Sequence, residues 1–374
     1  MRPNFWVGKP LFPKATLVAM QHNLNQHCCN FIFEKNFADL KKGCTFAVTE
    51  VVAFPSEQAR LISFKTITVM NKPAYTISDQ IALLKQRGML FKDETKAYNL
   101  LKDINYYRLK GYWQDAQSDE ELHLFQPNTY FEDIIERYNF DRQLRQILFG
   151  GIEQIEIAVR TRLIYHLSLA YGGLWYLNPA LFETALKIKD RIAKTTHLHT
   201  LDELQKEFNR SQEVFIKDQQ LRYPGQPADV WKILEVASMG TLSKLYKSLK
   251  ISLPEKGLIA NEMGVNSPHT FSGWLESIAY IRNIIAHHSR LWGRTMIKRP
   301  GMQLNNPAGA WFIKPLKQGQ LDKSFSTISC MVYLCGFLHA SQDLKSKIIH
   351  LVNAYPDVPI YRYGFFNQWQ SEPL

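Results

Sequence analysis

No run of apolar residues in this chain approaches the roughly 20 that a membrane-spanning helix needs. The longest, around Cys330 to Leu338, stops far short, and no membrane span is expected. The opening residues mix Arg, Pro, Asn and Lys without a continuous apolar core, which argues against a secretory leader. Cysteine is sparse, with five residues at 28, 29, 44, 330 and 335. An odd count with neither a pairing pattern nor zinc-ligand spacing excludes a disulfide framework and a structural zinc module, and it fits a reducing cytoplasm. Cys330 and Cys335 lie in the apolar run Cys-Met-Val-Tyr-Leu-Cys, where a thiol behaves as a small hydrophobe. There is no glycine loop of the kind that cradles nucleotide phosphates, no internal repeat and no low-complexity tract.

What remains is a chain of 374 residues, 45% hydrophobic and 21% charged, the composition of a globular protein with a real core. Its formal charge is +11 and its pI near 9.2. That balance favours a polyanionic partner, whether RNA, DNA or an acidic membrane surface, without requiring one.

Residues 1–69 mix Pro, Asn, Phe and Cys without sustained periodicity. They read as an atypical N-terminal extension, with Met70 the expected native start and the upstream part a translated extension. From Met70 to the C-terminus the chain reads as one helical domain. Ser78 to Arg87 is expected to be helical and to end at Gly88, followed by a helix over Glu94–Ile104. An aromatic stretch, Asn105-Tyr-Tyr-Arg-Leu-Lys-Gly-Tyr-Trp113, comes next. Two helices are predicted over Phe131–Phe149 and Gly151 to about Tyr171. Further helices are predicted over Trp231–Leu249 and Thr270–His288, with one or two across Phe325–Val352. Strand-like alternation is scarce, so the fold class is mainly α: a helical bundle with additional helices and decorated loops.

The segment Arg282-Asn283-Ile-Ile-Ala-His287-His288 stands out. A bare Arg-x4-His is expected by chance in about half of chains of this composition. Here, however, Asn follows the Arg directly and the motif closes a well-patterned helix. On a helical wheel Trp274, Ile278, Ile281 and Ile285 form the apolar face. Glu276, Tyr280, Asn283 and His287 gather opposite, with Asn283 and His287 one turn apart. His288 falls beside Ile281 and Ile285, which predicts a core or boundary histidine. Arg282 projects nearer the apolar face, between Ala279 and Ala286. Either it reaches round to the polar face or it pairs with a buried carboxylate, for which Glu156 is a candidate.

These residue types suit one chemistry. RNA is cleaved without a metal when its 2′-OH attacks the adjacent phosphate. A histidine moves protons at neutral pH, an arginine stabilises the charge gathering on phosphate oxygens, and an asparagine orients either. One chain offers a single such histidine, so a symmetric dimer is expected to complete an acid–base pair.

The motif resembles the Arg-x4–6-His signature of HEPN-domain ribonucleases, and the wider chain is similar to the abortive-infection proteins of bacterial phage defence, of the AbiD/AbiF type. The similarity rests on Lys72-Pro73, Leu84-x-x-Arg87-Gly88, Ile104-Asn-Tyr-Tyr-Arg-Leu-Lys-Gly-Tyr-Trp113 and Phe140-Asp-Arg-Gln-Leu-Arg145. It continues through Ile155-Glu-Ile-Ala-Val-Arg160, Trp231-x-x-x-Glu235, Met239-Gly-Thr-Leu-Ser243 and Gly364-Phe-Phe-x-x-Trp369. The resemblance implies a HEPN-like bundle and a metal-independent endoribonuclease toxin with no cofactor, using Arg282, Asn283 and His287. It further implies a homodimer and, as partners, an RNA target and a small non-coding RNA regulator.

Other constellations carry two readings each. Arg160-x5-His166 fits the loose pattern, but Glu156–Arg160 is also a favourable i,i+4 helix pair; a supporting or RNA-contacting role is the alternative. Tyr106, Tyr107, Arg108, Lys110, Tyr112 and Trp113 make either a packed turn or a stacking platform for RNA, with Arg108 and Lys110 the expected solvent-facing members. Arg290, Arg294, Lys298 and Arg299 are a solvated basic loop or a phosphate clamp. His197-Leu-His199 reads as surface polar sequence rather than a metal pair. Competing with the ribonuclease are a non-catalytic RNA-binding sensor of a defence system and a helical scaffold for a phage or host protein.

Overall fold

The computed structural model describes residues 74–373, apart from 190–191, 303–304, 307–308, 313–314 and 340–342, together with two short strands near the N-terminus. The chain divides into two units, Met1–Thr76 and Ile77–Leu374. In the first, β1 (Asn30–Ile32) pairs antiparallel with β2 (Thr49–Val51). The expectations for the rest of residues 1–69, for the Met70 start and for Lys72-Pro73 fall outside the described residues.

The second unit is mainly α-helical. It opens with α1 (Ile77–Gln86), α2 (Glu94–Asp103) and α3 (Tyr106–Trp113). A small hairpin of β3 (Gln117–Asp119) and β4 (Leu124–Phe125) leads into α4 (Phe131–Tyr171). A second hairpin, β5 (Leu186–Lys189) and β6 (Ile192–Thr195), precedes α5 (Thr196–Arg210), α6 (Val214–Arg222) and α7 (Val230–Ile233). Then come α8 (Met239–Ser248), α9 (Pro254–Glu262) and α10 (Pro268–Ala286). After the strand pair β7 (Asn305–Asn306) and β8 (Gly309–Ala310), the chain finishes with α11 (Gln318–Leu321), α12 (Ser324–Gly336) and α13 (Leu344–Ala354). Among the described residues no helix is long and apolar enough to cross a membrane.

The 41-residue α4, about 60 Å long at 1.5 Å per residue, is the spine against which α3, α8, α9, α10, α12 and α13 pack. The sequence predicts two helices here, Phe131–Phe149 and one opening at Gly151, and the structure corrects this to one. Gly151 is buried, and a Cβ on it would lie 2.9 Å from Leu344 Cδ2. That glycine therefore admits α13 to the spine rather than ending a helix, and tertiary packing outweighs the roughly 1 kcal/mol helix penalty of glycine.

The predicted helix over Trp231–Leu249 is also corrected. It splits into α7, a 3₁₀ turn over Leu234–Val236, and α8. Ser238 accepts from the Thr241 amide at 3.4 Å and starts α8 afresh, as serine at an N-cap does. At the far end of α8, buried Lys256 donates from Nζ to the Leu249 carbonyl at 2.6 Å, which satisfies a helix-terminal acceptor that burial would otherwise orphan.

α10 owes its stability to burial more than to propensity, because Ile, Trp, Phe and Ser are middling helix formers. Phe271, Trp274, Leu275, Ile278 and Ile281 are each fully buried, and side chains of this size contribute about 1.5–3 kcal/mol apiece. Pro268 sits in the first turn behind the Ser267 cap, where its fixed φ suits a helix start.

His197 is not surface polar sequence. It is 2% exposed, stacks on Phe182 at 3.6 Å between ring centroids, and donates from Nε2 to the Tyr176 carbonyl at 2.7 Å. Burial lowers its pKa from the ordinary 6.5, against the opposing pull of that hydrogen bond. The unfolded chain therefore takes up the proton first as pH falls below about 6.5, so the contribution is complete above that value and is lost as pH drops through the lower folded value. Denaturant unfolding at about pH 7.5 and pH 5 is expected to show less acid loss in His197→Gln than in the wild type. Equal loss in both would remove His197 from the acid response.

Candidate functional site

The motif closes α10, and its wheel holds for the apolar face and for Asn283 and His287 but is corrected at Tyr280. Trp274, Ile278 and Ile281 are fully buried and Ile285 is 7% exposed, while Asn283 and His287 face solvent. Tyr280 is half-buried and packs against the core. The helix ends at Ala286, and His287 is its C-cap, donating its backbone N–H to the Asn283 carbonyl at 3.1 Å. His288 then adopts a left-handed backbone with φ 53° and is exposed. The sequence expectation of a core His288 is thereby corrected: the wheel continued a helix that had already ended. Left-handed conformation costs a non-glycine residue roughly 1–2 kcal/mol. The backbone bonds His288 N to Ile285 O and Ser289 N to Ile284 O, both 2.9 Å, hold it there.

Arg282 is half-buried and donates from Nη1 to Asn283 Oδ1 at 3.5 Å. It also lies close enough to Glu156 of α4 to attract its charge. Burial pushes the Glu156 carboxyl above its usual range, and Arg160 first, then Arg282, pull it back. Of the two alternatives open in the sequence, the reach toward the polar face is the one seen: Arg282 leans toward the exposed Asn283, while the direct ion-pair partner of Glu156 is Arg160.

Glu156 and Arg160 form the predicted i,i+4 pair at 3.0 Å. Arg160 also donates to the Ala237 carbonyl at 3.0 Å, so it ties the spine to the segment entering α8. His166 faces away, bonding Glu262 of α9 at 2.9 Å. It therefore holds α9 to the spine.

The start of α3 meets the end of α10. Arg108 is exposed and donates from Nη1 to the His288 carbonyl at 2.8 Å. Lys110 is half-buried. The aromatic stretch divides: Tyr112 and Trp113 are 1% exposed and Tyr106 packs against the core, whereas Tyr107 is 74% exposed.

The basic segment after the motif is neither a bare solvated loop nor a set of free cations. Arg290 is half-buried and donates to the Trp292 carbonyl at 2.8 Å, and Arg294 donates to the Arg290 carbonyl at 2.9 Å. Lys298 pairs with Glu276 at 2.5 Å, and Arg299 pairs with Asp322. Gly111 makes room for Arg290, because a Cβ there would lie 2.6 Å from its Nε.

Sequence reasoning missed the group that fixes this turn. Asp141 is fully buried on α4, and its Oδ1 accepts from the backbone N–H groups of Leu291 at 3.1 Å and Trp292 at 3.0 Å and from Tyr363 Oη at 3.0 Å. Its Oδ2 accepts from Tyr112 Oη at 2.8 Å and Arg145 Nε at 3.1 Å. Burial, together with the Asp141 charge, pushes the Tyr112 and Tyr363 phenols far above their ordinary range, so both are donors. One signal was available: Asp141 shares a helix face with Ile134, Leu148 and Ile152, all core residues.

A polar cleft of about 580 Å³ is lined by Glu207, Arg210, Ser211, Glu213, Phe215, Glu235 and Val236. Glu235 of its lining approaches Arg160 at 3.8 Å, and none of Arg282, Asn283 and His287 lines it. Among the described residues no three His, Cys, Asp or Glu side chains converge to hold a metal ion.

The family model described as Abi-like protein matches residues 99–293, from the middle of α2 through α10 to the turn held by Asp141. No curated protein and no solved structure matches the chain.

Proposed function

The chain belongs to the Abi-like protein family, a membership that supports a role in abortive-infection defence, and from that premise we propose that it is a metal-independent endoribonuclease toxin of the HEPN type. The observation that carries this reading is the end of α10. Arg282 and Asn283 are hydrogen-bonded to each other, and the exposed His287 lies one turn beyond Asn283 at the C-cap.

In the proposed reaction the 2′-oxygen loses its proton to a base and bonds to phosphorus. The P–O5′ bond breaks, and O5′ leaves with a proton from an acid. His287 serves as one of these two groups. A second copy of the chain supplies the other, which makes the working form a homodimer. Arg282 stabilises the charge on the non-bridging oxygens, and Asn283 holds the guanidinium. Arg108, Lys110 and the Arg290–Arg299 segment are the proposed contacts to the flanking phosphates, with Tyr280, Glu156, Arg160 and His288 supporting the site. A small non-coding RNA is the proposed regulator.

Purified protein is expected to cut RNA in the presence of EDTA and to leave 2′,3′-cyclic phosphate and 5′-hydroxyl ends. Salt-dependent RNA binding without cleavage would favour the non-catalytic sensor instead. A sedimenting monomer with full activity would remove the dimer from the mechanism.

A further inference from the structure

We propose that Tyr107 is a stacking platform for an unpaired base next to the scissile phosphate, so that the site selects single-stranded RNA. This rests on the ribonuclease reading of α10 and adds a residue that determines its substrate.

Tyr107 is the most exposed of the Tyr, Phe and Trp residues among the described ones, at 74%. It is nonetheless held in place. Its backbone N–H donates to Asn105 Oδ1 at 2.8 Å, in the cap that starts α3. Its ring meets Tyr106 edge-on at 5.9 Å, and the Tyr106 hydroxyl in turn accepts from Arg87 at 3.1 Å.

The next residue, Arg108, binds the His288 carbonyl at 2.8 Å. This ties the ring's helix to the turn at His288, next to the proposed proton-transfer group. The same helix carries matching charge: Arg108 is exposed and Lys110 is half-buried, in a chain of formal charge +11. An aromatic face among cations is the arrangement that holds a nucleotide by stacking its base and neutralising its phosphate. A duplex cannot use it, because its bases are already stacked and paired while an A-form helix presents sugar and phosphate.

The test is binding of a fluorescein-labelled single-stranded 2′-O-methyl RNA 12-mer, which has no 2′-OH to attack and so reports affinity apart from cleavage. The same strand annealed to its complement is the control. Tyr107→Ala is expected to weaken single-strand binding about 5- to 150-fold, the range for loss of one stacked base, and to leave duplex binding within about twofold. Tyr107→Phe is expected to bind the single strand as the wild type does.

Equal losses for strand and duplex, or wild-type affinity in Tyr107→Ala, would overturn the platform, as would no single-strand binding by the unsubstituted protein. The two readings fail separately. Wild-type protein that binds the 12-mer through Tyr107 yet cuts no RNA ends the ribonuclease reading alone. Cleavage of a hairpin's loop at an unchanged rate in Tyr107→Ala ends the platform alone.

Discussion

Asp141→Ala is expected to destabilise the helical unit by about 3–5 kcal/mol, the cost of breaking a buried ion pair by removing one partner. Because total stability is typically about 5–15 kcal/mol, this is a large part of what holds the fold. A fall in Tm on the order of 10 °C follows for a unit of this size. The reason is the number of donors on one carboxylate: two backbone N–H groups, two phenols and the Arg145 guanidinium, which is itself 7% exposed. Removing the acceptor strands the two backbone N–H groups and the two phenols and leaves Arg145 with only the Asp141 backbone carbonyl at 3.3 Å, and each orphaned neutral donor costs about 1–3 kcal/mol.

Asp141→Asn separates charge from shape. Its remaining oxygen can still serve Leu291, Trp292 and Tyr363. Its amide would face the Arg145 Nε donor, while the Tyr112 hydroxyl can turn to accept. A loss between wild type and alanine is expected, measured by scanning calorimetry on all three proteins. A Tm for Asp141→Ala within about 2 °C of wild type would show that the donors find other partners and that the hub is not a main support.

Much of the fold was legible because it follows from periodicity. The apolar face of α10, the end of α1 at Gly88 and the pairing of Glu156 with Arg160 all follow from helix geometry on adjacent turns. What was misread depends on partners far away in sequence. Gly151 looks like a helix breaker until Leu344 is known to pass over it. Residues 231–249 keep helical periodicity across Ala237-Ser238, and only the cap formed by Ser238 shows where a new helix begins. His288 was misplaced because a single left-handed residue turns the chain off the wheel. Asp141 is the sharpest case: by type it is a surface residue, and its five donors come from four separate stretches of sequence.

The candidate site divides the same way. Asn283 and His287 could be placed in solvent from the pattern alone. The bond from Arg108 to the His288 carbonyl joins residues 180 positions apart, and no local pattern announces it.

His287→Ala is expected to lower RNA cleavage by about 10²–10⁴-fold, the usual contribution of a positioned acid or base. Arg282→Ala is expected to cost about 10²–10³-fold through lost stabilisation of the phosphorane-like charge. Unlike Asp141, neither residue is a main support of the fold. His287 is exposed at a C-cap that is defined by backbone bonds, so its truncation should alter stability by no more than about 0.5 kcal/mol. Arg282 is half-buried near Glu156, but Glu156 keeps its direct partner Arg160 at 3.0 Å, so the fold survives there too. Arg282→Lys discriminates further: it keeps the positive charge but loses the planar fork that can engage Asn283 and a phosphate together, and partial activity is expected. Cleavage rates in EDTA, read beside Tm for each variant, make the comparison. Full activity in His287→Ala at unchanged Tm would move the chemistry away from the end of α10, whatever becomes of the family's role in defence.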